Sequence, residues 1–363
     1  MREFEYFLFE NFDADQEARN PDNPRIFLGK QTDGILSQVA DYQTVRADQT
    51  VVAQLISGGV LRCDGRRTLF DCPVFLKEDA AVLRSAAQEK SAVLADMLER
   101  KLCALKAACT RIKNGFGTEQ NLYHILCGMV FDGYFFDYLC GRGVLATSRL
   151  HPSGLDYLSV IYEKCKELQT FSDKLLCSYN RLINEKCSLQ SFGDARGDRF
   201  DFYRFFRLME QGEPAPKFRN AEELFQKAFG KANKDALLSE TLLLVQSGQC
   251  APDAMRLLEC FGYAENGKIC VPVYKPEHRQ YIMEIESIVE NCIGEAVAGI
   301  LHEQAVSMEI TAVKHGVNDL EIANEIYHIV FGSINEELVR RGIVAQPIDV
   351  PGEGRFLRCI EVY

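Results

Sequence analysis

Residues 47–57, ADQTVVAQLIS, place Val52, Leu55 and Ile56 on one side of a helical wheel. Gln49, Thr50, Ala53, Gln54 and Ser57 fall on the other, a pattern that predicts a short amphipathic helix. Gly58-Gly59 ends it, since glycine turns the chain out of a helix at little cost. The chain continues as VLRCDGRRTLFDCPVFL, which predicts strands over 60–63 and 68–76 around the turn Asp64-Gly65-Arg66-Arg67. Upstream, DGILSQVADY at 33–42 predicts a preceding helix, and downstream a stripe of Val82, Leu83, Ala86, Val93, Leu94, Met97, Leu98 and Leu102 predicts a long helix over 79–113. A further helix over 118–140 is placed to fold back along it.

The same order returns later in the chain. Residues 234–246 and 252–260 predict two helices, with Pro252 fitting a first turn, and Asn266-Gly267 predicts a hairpin tip within 261–274. A long apolar stripe follows: Ile282, Ile285, Ile288, Val289, Cys292, Ile293, Ala296, Val297, Ile300 and Leu301. Individual residues recur at an offset of 199, pairing Pro73-Val74-Phe75 with Pro272-Val273-Tyr274 and Arg142-Gly143-Val144-Leu145-Ala146 with Arg341-Gly342-Ile343-Val344-Ala345. That offset also pairs Gly133 with Gly332, Leu139 with Leu338 and Pro152 with Pro351, whereas TRIKNG at 110–115 matches TAVKHG at 311–316 at 201. One offset held this long predicts an internal duplication. The expected division is a first copy at 1–164, a helical connector and linker at 165–199, and a second copy at 200–363. On this register EYFLF at 5–9 lies opposite RFFRL at 204–208, and both are expected to be helical; 148–199 is expected to be helical with the turn-rich SFGDARGDR as linker.

A helix, a glycine, a strand, a basic turn and a strand make the layout of a winged helix. The run of apolar helix, Gly58-Gly59, Val60-Leu61 and charged hairpin resembles the recognition helix and wing of MarR- and PadR-like bacterial transcription regulators, over about 45 residues per copy. The expected fold class is therefore mostly α with small β wings, an α+β protein: two tandem winged-helix units, each followed by long antiparallel helices and related by a pseudo-two-fold duplication. The resemblance implies double-stranded DNA as the partner.

Composition adjusts this picture in two ways. The formal charge of −11 is uneven: Lys plus Arg less Asp plus Glu comes to −3 over 1–164, +1 over 165–199 and −9 over 200–363. Phosphate neutralisation drives nucleic-acid binding, so DNA contact is expected in the first copy and a protein partner in the acidic second. The 14 cysteines show no CxxC pair and are spread along the chain, which favours reduced structural thiols over a disulfide framework or a metal site. No apolar run approaches the length of a bilayer span and the N-terminus is acidic, so a cytoplasmic protein is expected.

Candidate chemistry concentrates on the first hairpin. Arg62, Arg66 and Arg67 on the hairpin, with Arg46 before the helix, suit phosphate or minor-groove contact, and Thr50 and Gln54 suit base edges. In the second copy Lys268 stands beside Glu265, and Asp253 and Glu259 surround Arg256, a face that repels phosphate. Arg196, Arg199, Arg204 and Arg207 among Phe200, Phe202, Tyr203, Phe205 and Phe206 favour an amphipathic helix over a single-strand-binding surface. Six histidines fall at no metal-ligand spacing, and Lys113-Asn114-Gly115 and Lys314-His315-Gly316 are expected to cap helices. With no phosphate-binding loop or nucleophile motif, neither cofactor nor metal nor catalytic residue is expected, and the alternative to DNA binding is a non-catalytic protein-interaction module.

Overall fold

A computed structural model of the chain describes residues 2–10, 28–147, 155, 157–172, 174–195, 198–210, 216–230 and 233–363. The first half opens with strand β1 (Phe4–Glu10), helices α1 (Lys30–Tyr42) and α2 (Gln49–Ser57), hairpin strands β2 (Leu61–Asp64) and β3 (Arg67–Phe70), the short β4 (Val74–Phe75) and helix α3 (Ala80–Glu99). It continues through α4 (Leu102–Cys109), α5 (Thr118–Leu122), a π-helix (Tyr123–Tyr134), α6 (Phe135–Gly141), β5 (Tyr157–Glu163), α7 (Lys166–Ser172), β6 (Leu176–Ile183) and β7 (Cys187–Asp194). The second half contains α8 (Phe202–Glu210), α9 (Arg219–Phe229), α10 (Lys234–Ser247), α11 (Pro252–Cys260), β8 (Ala264–Glu265), β9 (Lys268–Ile269) and β10 (Val273–Tyr274). It ends with α12 (Arg279–Ser307), α13 (Thr311–His315), α14 (Asp319–Arg340), β11 (Ile348–Val350) and β12 (Gly354–Val362). Helices predominate and the strands form small sheets, an α+β architecture. Among the described residues no helix is long and apolar enough to cross a membrane.

The chain divides into two compact units, and each takes residues from both halves. The first comprises 1–94, 136–173 and 293–334; the second comprises 95–135, 174–292 and 335–363, within the described residues. These units differ from the consecutive stretches 1–164 and 200–363 expected from the repeat. The stretch 165–199, expected to be a helical connector and linker, holds helix α7 and then supplies strands β6 and β7.

In the first unit β5 lies between β1, which it pairs antiparallel, and β4, which it pairs in parallel with Val74 opposite Ile161. The hairpin β2–β3 forms a separate ribbon. In the second unit β12 takes the place of β5: it pairs β7 antiparallel and β10 in parallel, with Val273 opposite Ile360. Both parallel registers obey the offset of 199. The agreement extends to tail-to-helix bonds, since Ala146 N–H reaches Leu320 O (3.2 Å) in the first unit and Ala345 N–H reaches Glu119 O (2.9 Å) in the second. Likewise Arg142 pairs with Glu295 in the first unit, and Arg341 with Asp96 and Glu99 in the second.

The second unit is stabilised by an aromatic core in which Phe202 stacks on Phe261 with ring centroids 3.9 Å apart, flanked by Phe205, Phe206, Phe218 and Phe225. Its strand β7 is buried along its whole length although it reads CSLQSFGD. Its polar groups are therefore hydrogen-bonded within the protein: Gln190 donates to Ser188 Oγ (2.6 Å) and Glu361 (2.8 Å), and Ser191 donates to Asp201 (2.9 Å). Arg199, with no exposure, donates to the carbonyls of Ser178, Ser191 and Asp194.

Four expectations are corrected. EYFLF at 5–9 is a strand, and its structural counterpart opposite β12 is β7 rather than α8; aromatic residues suit a pleated surface, and the pairing partner β5 decides the outcome. YLSVIYE, LCSYNRLI and CSLQSFGD, expected to be helical or linking, are β5, β6 and β7, with 196–197 of the expected linker outside the described residues. The helix expected over 79–113 breaks at Arg100–Lys101 into α3 and α4, and Val93, expected inside, is 55% exposed. Finally, the helix over 118–140 is a π-helix in its middle, where Phe135 N–H reaches back five residues to Val130 O. The repeat offset changes from 201 to 199 across this segment, so the first half carries two extra residues there. A π-helix packs more residues into each turn and accommodates them without lengthening the rod.

Candidate nucleic-acid interface

Asp48 caps α2 by accepting from Thr50 N–H (2.8 Å), and Gly58 and Gly59 end it, Gly59 at φ +67°. The helix buries Val52 and Leu55 against the first unit and exposes Gln49, Thr50, Ala53, Gln54 and Ser57, the division expected from the wheel. Ile56, expected inside, is 38% exposed and extends the outer stripe of Gln49 and Ala53. The exposed face of α2 therefore carries hydroxyl and amide groups and no charge.

The hairpin turns at Gly65, whose φ of +60° suits the two-residue connection between Asp64 and Arg67. Thr68 N–H bonds Gln43 O (2.8 Å), which fastens β3 to the end of α1. Arg46, Arg66 and Arg67 are all exposed. Arg67 rests on Asp64 at 2.7 Å, a solvent-exposed pair that exchanges readily for another anion.

Arg62 departs from the expected surface role. Its guanidinium faces inward, donating to the carbonyls of His315 and Gly316 and pairing with Asp71 at 3.1 Å. Of the six predicted residues, Arg46, Thr50, Gln54, Arg66 and Arg67 are exposed on neighbouring segments, Arg67 in its surface pair with Asp64, whereas Arg62 is engaged within the unit. Its partners His315, Gly316 and Asp71 carry no functional signal in the sequence, although the repeated T-x-x-K-x-G marks the first two as a helix end. One of the two expected caps is observed: Gly316 ends α13 at φ +67°. Gly115 (φ +86°) instead lies in the loop after α4, which ends at Cys109.

In the second unit α11 and the hairpin β8–β9 present a different surface. Arg256 pairs with Asp253 (3.2 Å), Lys227 pairs with the same carboxylate (3.3 Å), and Glu259 accepts from Gly267 N–H at the hairpin tip. Arg256 and Lys227 thus share the carboxylate of Asp253, and Lys268 stands opposite Glu265 across the hairpin. Among the described residues no group of His, Cys, Asp and Glu is arranged to hold a metal ion.

Burial sets the state of several titratable groups nearby. His315 is held neutral to about pH 4 by loss of hydration and by the positive charge of Arg62. Glu321, at the start of α14, is pushed up to about 8 by burial and by the negative charge of Asp71. No protein-family model, curated protein or solved structure matches the chain.

Proposed function

We propose that this protein is a DNA-binding transcription regulator of bacterial type, built as an intrachain pseudo-dimer of two winged-helix units. The single observation that carries the reading is the α2 surface: an uncharged row of Gln49, Thr50, Gln54 and Ser57 on one element, with Arg46, Arg66 and Arg67 exposed on the adjoining ones. Hydroxyls and amides read base edges in a major groove, and arginines on a wing neutralise phosphate, so the two kinds of group are divided as duplex recognition requires. The internal duplication is supported by the shared offset of 199 in both parallel strand registers and by the matched bonds of Ala146 and Ala345. Two unlike heads then bind an asymmetric site, with the first supplying most of the phosphate contacts. On this reading the chain is not an enzyme.

A second reading, a protein-interaction module, is favoured for the second head by the pairing of Arg256 and Lys227 with Asp253. The two are separated by selection from a random duplex pool. For DNA recognition through α2, Thr50→Ala and Gln54→Ala alter the selected sequence at one or two adjacent base pairs, each costing about 1–3 kcal/mol there, while leaving non-specific affinity unchanged. A pool that yields no enriched sequence with the intact protein favours the protein-interaction reading.

A further inference from the structure

The hairpin that carries Arg66 and Arg67 is held by a segment of the opposite half of the chain. The helix α13 is fixed at both ends to first-half residues of the same unit. At its start Thr311 N–H donates to Asp79 Oδ1 (2.9 Å), while the other oxygen of Asp79 accepts from Leu76 N–H (2.8 Å). At its end Phe70 N–H, the last of β3, donates to His315 Nδ1 (3.1 Å), and the rings of Phe70 and His315 lie 4.7 Å apart. The guanidinium of Arg62, on β2, closes the arrangement by donating to the carbonyls of His315 and Gly316, which terminate α13. These are charge-assisted bonds to carbonyls left without partners by the helix end. Both strands of the hairpin are thereby tied to the end of one five-residue helix across 245 or more residues of sequence.

We infer that Arg62 is a positioning residue, and that the α13–Gly316 corner is a latch through which the C-terminal half of the chain sets the pose of the Arg66–Arg67 turn. This rests on the proposal that the turn contacts DNA. Two features favour a latch over an incidental contact. The receiving atoms are main-chain carbonyls at a left-handed glycine, so the site is defined by the backbone of the corner. Asp71, beside the end of β3, balances the charge of Arg62, which leaves the guanidinium no net demand for phosphate.

Native-state trypsin digestion tests the latch without DNA, because Arg66 and Arg67 are themselves cleavage sites at the tip. Arg62→Ala is expected to speed cleavage after Arg66 and Arg67 by about tenfold or more, since cleavage follows the open population and the bonds removed involve a charged donor. Arg62→Lys, which keeps the charge and stem but not the fork, is expected to give a smaller increase and guards against a variant that fails to fold. His315→Ala keeps the carbonyls that receive Arg62 but removes the Phe70 bond and ring contact, and is expected to give a smaller increase than Arg62→Ala. Wild-type cleavage rates in Arg62→Lys and His315→Ala overturn the latch. In a duplex-binding titration the Arg62→Lys and Arg62→Ala proteins are expected to keep the wild-type salt slope. A slope reduced by about 0.9 in Arg62→Ala alone makes Arg62 a phosphate contact and overturns its positioning role. If the intact protein binds no duplex, the DNA proposal fails while the digestion result still decides the latch.

Discussion

Replacing Glu321 by Gln is expected to change how stability depends on pH. Glu321 is 4% exposed, in the first turn of α14. Burial and the negative charge of Asp71 raise its carboxyl from 4.5 to about 8. Between those values the folded chain keeps a proton on Glu321 that the unfolded chain has released. The folded state therefore binds more protons, and stability falls as pH rises through the window. At 1.36 kcal/mol for each pH unit, the whole window corresponds to a ceiling of about 5 kcal/mol. Gln carries no titrating proton and stays neutral, so Glu321→Gln removes this loss. Denaturant unfolding of both proteins from pH 5 to pH 8 measures it directly. The variant's stability relative to wild type is expected to rise by about 1.4 kcal/mol per pH unit across that range. Parallel curves would refute the reasoning, and with it the assignment of a neutral carboxyl beside the Arg62–Asp71 pair.

Two further substitutions test the second unit. Arg199→Met leaves the carbonyls of Ser178, Ser191 and Asp194 without their buried donor and is expected to cost about 3–5 kcal/mol in denaturant unfolding, with less than about 1 kcal/mol contradicting the network. Phe261→Ala removes the ring stacked on Phe202 and is expected to cost about 3–5 kcal/mol by the same assay, whereas a neutral effect would show that this cluster is not the core of the unit.

What the sequence discloses follows from where each element finds its partners. Helix α11 is expected over 252–260 and is observed as Pro252–Cys260, and Asn266-Gly267 forms the hairpin tip with both residues at positive φ, because proline, glycine and asparagine act within a turn or two. The uncharged face of α2 is equally legible, since a wheel of eleven residues needs only local periodicity. β1 reads as a helix because its partner β5 lies more than 140 residues away, and FEYFLFE alone does not distinguish a packed helix from a paired strand. β7 escapes the pattern for the opposite reason: a buried strand of Ser, Gln and Asp shows no apolar stripe, and its burial depends on hydrogen bonds with Glu361, Asp201 and Arg355. The direction of Arg62 is not legible either. Its sequence neighbours make it a hairpin cation, and only the carbonyls of His315 and Gly316 turn it inward.

The central claim, that the first head binds duplex DNA through its arginine turn, is tested most directly by the salt dependence of binding. A fluorescent duplex is titrated with the intact protein and with Arg66→Ala/Arg67→Ala over a range of ionic strength. The account predicts a linear fall of log K with log salt, and a slope smaller in magnitude by about 0.9 for each phosphate that is no longer neutralised, up to two phosphates in the double variant. Lys268→Ala, on the acid-matched second hairpin, is expected to leave the slope close to wild type. An intact protein that shows no salt-dependent duplex binding even at low ionic strength contradicts the claim.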